Sequence, residues 1–186
     1  MAQINRVTPI GRRNYAAVLL GARMGLRAAD IISLKLQDVN WKEDQIRIAQ
    51  QKTGEALLLP MPTDVCEALK EYILRARPES EYEQIFLRSN APFLPLTAGA
   101  ALGHIYQKYQ QMAGIERRPH DGRGFHGLRR MLGRAMTVAG VPVTTIAQVL
   151  GHRDLNTAKQ YISLDTIHLK ECALDFRGIE LAGGVF

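Results

Sequence analysis

The sequence predicts a mainly α-helical domain with one small antiparallel β-sheet (α+β). Three observations lead there. Apolar residues recur at helical spacing over several separate stretches. Residues 45–59 instead hold two short runs of strand character, the alternating Gln45-Ile46-Arg47-Ile48-Ala49 and the apolar Ala56-Leu57-Leu58-Leu59. Between them, Gln51-Lys52-Thr53-Gly54-Glu55 reads as a turn in which Gly54 supplies the special backbone angle. A chain of 186 residues suits one domain with a substantial core, and 46% hydrophobic with 23% charged residues is ordinary for a soluble globular protein.

Residues 12–24 form the first predicted helix, with Tyr15, Val18, Leu19 and Ala22 on one side and Gly25 as its stop. A second helix follows Leu26-Arg27-Ala28-Ala29-Asp30 and carries Ile31 and Leu34. Arg27 lies at the junction. Read alone it is a surface arginine capping the preceding helix, although a junction also lets a side chain point into a cleft. Asp30 is either a first-turn acid favoured by the helix dipole or a partner that orients a neighbouring arginine or histidine. Lys52, at the tip of the predicted hairpin, is by itself an ordinary solvated lysine that has the reach to meet a ligand. Asp64 and Glu67 resemble a capping box for a helix through Leu69, Tyr72 and Ile73. Ile85-Phe86-Leu87 is a short strand or buried loop, and Thr97 can cap a helix whose stripe runs Ala101, Leu102, Ile105, Tyr109 and Met112. After a Gly- and Arg-rich loop, residues 126–139 show a stripe of Leu128, Met131, Leu132, Ala135, Met136 and Ala139. Pro142 opens a further helix that Gly151 ends, Asp154 or Asn156 starts one carrying Tyr161, and residues 167–174 make a last one.

The chain holds 24 Lys and Arg against 18 Asp and Glu, a net charge of +6. That excess is compatible with nucleic acid as a partner. Cys66 and Cys172 stand in no metal-ligand spacing and read as reduced core residues, no apolar run is long enough to cross a membrane, and the N-terminus lacks a secretory segment. The expectation is a cytoplasmic protein.

Chemistry concentrates between His126 and Tyr161. His126-Gly127-Leu128-Arg129 places a histidine and an arginine on one side of a helix's first turn, Leu150-Gly151-His152 adds a second histidine, and Tyr161 follows nine residues later. Arginine forks clamp phosphate oxygens, histidines move protons or donate hydrogen bonds, and a tyrosine can attack phosphorus. The set suits phosphodiester cleavage better than a core.

With Gly25-Leu26-Arg27-Ala28-Ala29-Asp30 and Lys52-Thr53-Gly54 added, five motifs stand in order, and the chain from about residue 11 to 176 resembles the catalytic domain of the tyrosine recombinase (phage integrase) family. The resemblance implies that Tyr161 attacks a DNA phosphodiester to give a 3′-phosphotyrosyl link and a 5′-hydroxyl. Arg27 and Arg129 would bind the non-bridging oxygens and His152 would add a hydrogen bond. Lys52 would protonate the leaving oxygen, His126 would assist proton transfer at Tyr161, and Asp30 would be supporting. A free tyrosine has a pKa of about 10, so phenolate at pH 7 costs on the order of 4 kcal/mol, which two arginines and a base can largely offset. The covalent link keeps the energy of the broken bond, so no ATP, metal or other cofactor is expected. The partner implied is double-stranded DNA, with four protomers acting on it and an isolated domain that is compatible with a monomer; no membrane is involved.

Two departures from the family stand out: Gly127 replaces a residue that is often acidic or polar, which would loosen the support around His126, and only about ten residues precede the first predicted helix where the family usually has a DNA-clamping domain, so a catalytic fragment or a short member with weaker DNA binding is expected. The expected division is a linker remnant over 1–10, the catalytic domain over 11–176, and a tail over 177–186 that is a candidate for docking in trans. Competing readings are a non-catalytic DNA-binding module of the same fold, a type IB topoisomerase-like enzyme that relaxes DNA, and a metallohydrolase. The last is disfavoured because His104, His120, His126, His152 and His168 have no compact ligand spacing.

Overall fold

The structure is a computed structural model, and it describes residues 1–49, 56–97, 99–118 and 121–151. These form six α-helices: α1 (Pro9–Met24), α2 (Ala28–Ser33), α3 (Thr63–Arg75), α4 (Gly99–Met112), α5 (Phe125–Val138) and α6 (Val143–Val149). A three-stranded antiparallel sheet, β1 (Val39–Asn40), β2 (Gln45–Ala49) and β3 (Ala56–Pro60), is ordered β1-β2-β3. Ile46 pairs with Leu59 and Ile48 with Leu57, so the two strands turn Ile46, Ile48 and Leu59 to the core and leave Leu58 outside. The mainly helical fold with a small antiparallel sheet is as the sequence predicts; β1, two residues long, carries no pattern that a sequence could show. Residues 50–55, and with them the predicted turn, lie outside the described residues.

Helix α1 is the central element. Thr8 caps it, its Oγ1 accepting from Gly11 N at 3.0 Å, and Pro9 opens it with a φ already suited to the helix. Ala16, Leu20 and neighbouring side chains are wholly buried, because α1 packs against α3 on one side and α5 on another. Ile4, ahead of the helix, is buried in the same core, and Arg6 pairs with Glu71 at 3.0 Å while lying over the Tyr15 ring. The other wall holds Ile85, Phe86 and Leu87, all fully buried in a loop rather than a strand, with Phe86 stacked on Tyr72 at 5.6 Å between centroids.

Three expectations need correction. Helix α3 begins at Thr63 after Pro62, so Asp64 is already inside its first turn; its carboxylate takes Arg23 at 2.9 Å instead of forming a capping box. In α4, Met112 is 53% exposed and Gln110 is buried, because Gln110 Nε2 donates to Arg123 O at 2.9 Å where the following loop folds back. In α5 the period is right and the face is rotated by about one residue: Met131 and Val138 are 55% and 69% exposed, Ala135 and Ala139 are exposed as well, and Phe125, Leu128, Arg129, Gly133 and Thr137 are buried. A polar Arg129 and the small Gly133 and Thr137 do not register as core in a hydrophobic pattern, yet all three are buried.

Close approach is visible at two glycines of the α1 end. A Cβ on Gly21 would lie 2.7 Å from the Phe125 ring, which also meets Tyr106 edge-on at 6.0 Å. Gly25 has φ 65° and ends α1; a Cβ there would come within 2.8 Å of Leu150 and 3.0 Å of Leu132. Leu132 and Met136 of α5 and Ile146, Ala147 and Leu150 of α6 form a second apolar cluster at this junction. Gly25→Ala therefore combines a left-handed backbone with overpacking, and is expected to destabilise the domain by about 2–4 kcal/mol, read as a lower urea midpoint at unchanged slope.

Candidate active site

The site is assembled where the ends of α1 and α6 meet the first turns of α2 and α5. The turn at Gly25 leaves Arg27 extended (φ −71°, ψ 149°) at the N-cap of α2. Asp30 holds it from below: its Oδ2 accepts from Arg27 N at 3.3 Å and lies 3.9 Å from Nη1. Both sequence readings of Asp30 hold, since it is a first-turn acid and it orients the arginine. Arg27 Nη2 donates to Gly151 O at 3.3 Å. Arg27 is thus not a cap on α1; it reaches across to the end of α6.

Arg129 reaches the same place from the other side. Its side chain is 3% exposed, Nη1 donates to Gly25 O at 2.8 Å, and Nη2 donates to Leu150 O. Gly151, with φ 58°, terminates α6, and carbonyls of a helix's last turn have no partner within the helix. The two arginines occupy the Leu150 and Gly151 carbonyls. His126 stands one turn before Arg129, at the start of α5, with its ring exposed to solvent on one side. Partial burial pushes its pKa below the ordinary value of 6.5, and the charges of Arg129, Arg130 and Arg27 push in the same direction. At pH 7 the ring is neutral and can accept a proton. The structure brings Arg27, Asp30, His126 and Arg129 together.

A half-exposed Arg27, a buried Arg129 and an exposed neutral imidazole lie at the uncapped start of a helix, an arrangement suited to an oxyanion with a proton acceptor beside it: no side chain caps α5, and its first turn holds no acid. Among the described residues no cluster of three or more His, Cys, Asp or Glu side chains is placed to hold a metal ion. Among them, too, no helix is long and apolar enough to cross a membrane.

The phage integrase family model matches residues 1–168. The chain belongs to the phage integrase family. It is 36% identical to y4rA, a predicted integrase/recombinase of Sinorhizobium fredii, over 96% of this chain and 42% of that one. It is 32% identical to a second from the same organism, y4gC, over 94% of this chain and 88% of that one. Tyrosine recombinase XerA of Pyrococcus furiosus is 28% identical over 86% of this chain and 53% of its own length. The chain thus spans nearly the whole of y4gC and about half of the other two. Among solved structures, the crystal structure of XerA recombinase superposes with a TM-score of 0.71 at 23% identity, covering 87% of this chain and 57% of that one. XerH site-specific recombinase bound to difH substrate, in a pre-cleavage complex, gives 0.73 at 21% identity over 88% and 47%. The fold is that of a tyrosine recombinase catalytic domain.

In this phage integrase family member Lys52, His152 and Tyr161 lie outside the described residues, as do His120, His168 and Cys172. Of the histidines that are described, His104 is exposed on α4, away from the arginine pair. Three basic residues that composition leaves open as phosphate contacts have other engagements: Arg12 faces Glu71 at 3.5 Å, Lys35 pairs with Glu83 at 2.9 Å, and Arg13 donates to Leu87 O at 3.0 Å and Ser89 Oγ at 2.7 Å. Gly127, expected to loosen the surroundings of His126, packs closely against the preceding loop: a Cβ there would lie closer than 3.0 Å to the Gly122 carbonyl oxygen. That contact, and Arg130 beside it, escaped sequence reading: the signal present was a glycine in a helix's first turn, and its meaning depends on where the preceding loop runs.

The depressed pKa of His126 has a definite sign. The unfolded chain holds more protons than the folded one between the depressed value and 6.5, so this group's contribution to stability is intact above 6.5 and falls away as the pH drops through that window. NMR titration of the His126 ring is expected to give a midpoint below 6.5, and Arg27→Met is expected to raise it.

Proposed function

We propose that this chain is the catalytic domain of a site-specific DNA recombinase, cleaving and rejoining strands through a 3′-phosphotyrosyl intermediate. The observation that carries the reading is the convergence of Arg27 and Arg129 on the carbonyls of Leu150 and Gly151, directly before His152 in the sequence, with neutral His126 beside them. Family membership and the Tyr161 position in the matched residues support it, as do relatives named as tyrosine recombinases. In XerH the partner is the difH substrate; here double-stranded DNA is proposed by the same fold and by the net charge of +6.

In the proposed reaction Arg27 and Arg129 bind the two non-bridging oxygens of the scissile phosphate, where their charge answers the charge that builds on phosphorus. His152 adds a hydrogen bond. Tyr161 attacks and its proton passes to His126, whose lowered pKa favours the unprotonated ring at pH 7. Lys52 gives a proton to the departing 5′-oxygen, and reversal of these steps reseals the strand with no nucleotide consumed. Asp30 keeps Arg27 extended toward the phosphate. Residues 11–176 form the catalytic unit in this proposal, four copies act together on DNA, and residues 177–186 dock in trans.

A nicked suicide DNA substrate tests the chemistry. The protein is expected to form a denaturant-resistant adduct and Tyr161→Phe none. DNA binding with no adduct from either would assign the chain as a binding module, and site-independent relaxation of supercoils by the monomer would assign it to type IB topoisomerase-like chemistry. The assembly is tested separately: deletion of residues 178–186 is expected to abolish tetramers on DNA in a mobility-shift assay while leaving single-site binding intact.

A further inference from the structure

The turn leading into α5 is stitched together with unusual economy. Asp121 accepts from Arg118 N through Oδ2 and from Arg123 N through Oδ1, each at 2.8 Å, which fixes the turn internally. Gln110, buried on α4, donates to Arg123 O at 2.9 Å and ties the turn to α4. The tie to α5 is different. Arg130 Nη2 donates to Gly122 O at 2.7 Å, and that same carbonyl oxygen lies so near Gly127 that a Cβ there would sit closer than 3.0 Å to it. Gly122 has φ 71°, and a Cβ on it would collide with the Arg130 guanidinium. Gly127 N also donates to Gly124 O at 2.8 Å. One carbonyl is thus held between a glycine α-carbon and an arginine one turn further along, at the residue directly after His126 and the one four after it.

We propose that Arg130 is a positioning residue: its guanidinium holds the Gly122 carbonyl against Gly127 and so fixes the turn of α5 that presents His126. Arg130 sits four residues after His126, so the two share a helix face, and an arginine there has an obvious alternative use as a phosphate ligand. The geometry favours the clamp. The fork is directed back at a backbone carbonyl of its own domain, and the partner surface is built of two glycines that leave room for nothing larger. The gain to catalysis would come from orientation, since a displacement of about 1 Å at a catalytic group costs on the order of a hundredfold in rate.

The inference rests on the reading of His126 as the proton acceptor, so it is tested by two readouts of which one needs no cleavage. With the suicide substrate, Arg130→Met and Gly127→Ala are each expected to slow single-turnover adduct formation about tenfold to a hundredfold, with DNA affinity and its salt dependence unchanged. Arg130→Lys, which keeps a charged donor, is expected to recover part of the rate. The double variant should be no slower than the slower single one, because both break the same contact. In NMR titrations the His126 midpoint is expected to rise toward 6.5 in Gly127→Ala, which changes no charge, as well as in Arg130→Met. The proposal is overturned if Arg130→Met weakens DNA binding with a salt slope smaller by about one while Gly127→Ala cleaves normally, which would make Arg130 a phosphate ligand. Additive losses in the double variant overturn it too, as does a His126 midpoint that Gly127→Ala leaves in place. Thermal melts of the variants separate either effect from unfolding. A wild-type protein that forms no adduct would remove the recombinase reading and leave the titration to decide the clamp.

Discussion

The buried guanidinium of Arg129 is the constraint on which the rest of the arrangement depends. An arginine stays charged at any pH that a folded protein meets, and removing such a charge from water costs several kcal/mol unless polar atoms surround it. Here the acceptors are backbone carbonyls from two separate places, Gly25 at the end of α1 and Leu150 at the end of α6. Both are helix-end carbonyls that need partners. One side chain therefore satisfies its own desolvation and the open ends of two helices, and in doing so it fixes α1, α5 and α6 relative to one another. Arg27 adds a second strap at Gly151, so that both arginines hold the turn that ends α6.

That strap works only because the helices come unusually close. Gly21 admits the Phe125 ring onto α1, Gly25 admits Leu132 and Leu150, and Gly127 admits a carbonyl of the preceding turn. At each point a single Cβ would push apart elements that carry functional groups. The electrostatic result is a positive surface in which His126 is kept neutral by partial burial and by three arginines. In the proposed reaction such a place would hold negative charge and take up a proton in the same step.

Placement within the phage integrase family makes sense of a chain that matches about half of y4rA or of the archaeal XerA while covering 88% of y4gC. The shared unit is the one described above, a helical core whose helix ends converge, with a small sheet at its side.

Much of this was legible in the sequence. Helical periods located α1, α3, α4 and α5, the run of strand residues gave β2 and β3 to within a residue, and Gly25 and Gly151 marked helix ends because a left-handed φ favours glycine. The set of Arg27, Asp30, His126 and Arg129 could be named from residue types and order, and these four are found together. What the sequence left open was orientation. It placed the buried face of α5 one residue away from the true one, since Arg129, Gly133 and Thr137 do not look like core. Read alone, Arg27 was a cap on the preceding helix or a side chain in a cleft, and the sequence could not choose, since the carbonyl that it reaches is 124 residues away. It did not show that Gly127 and Arg130 meet the Gly122 carbonyl, since that contact exists only after the turn has folded back. Local pattern and residue chemistry, which depend on neighbours along the chain, were determined by the sequence alone. Which carbonyl each arginine holds, and which glycine must stay bare, were decided by tertiary packing, because those partners are set by distances in space between segments far apart in the chain.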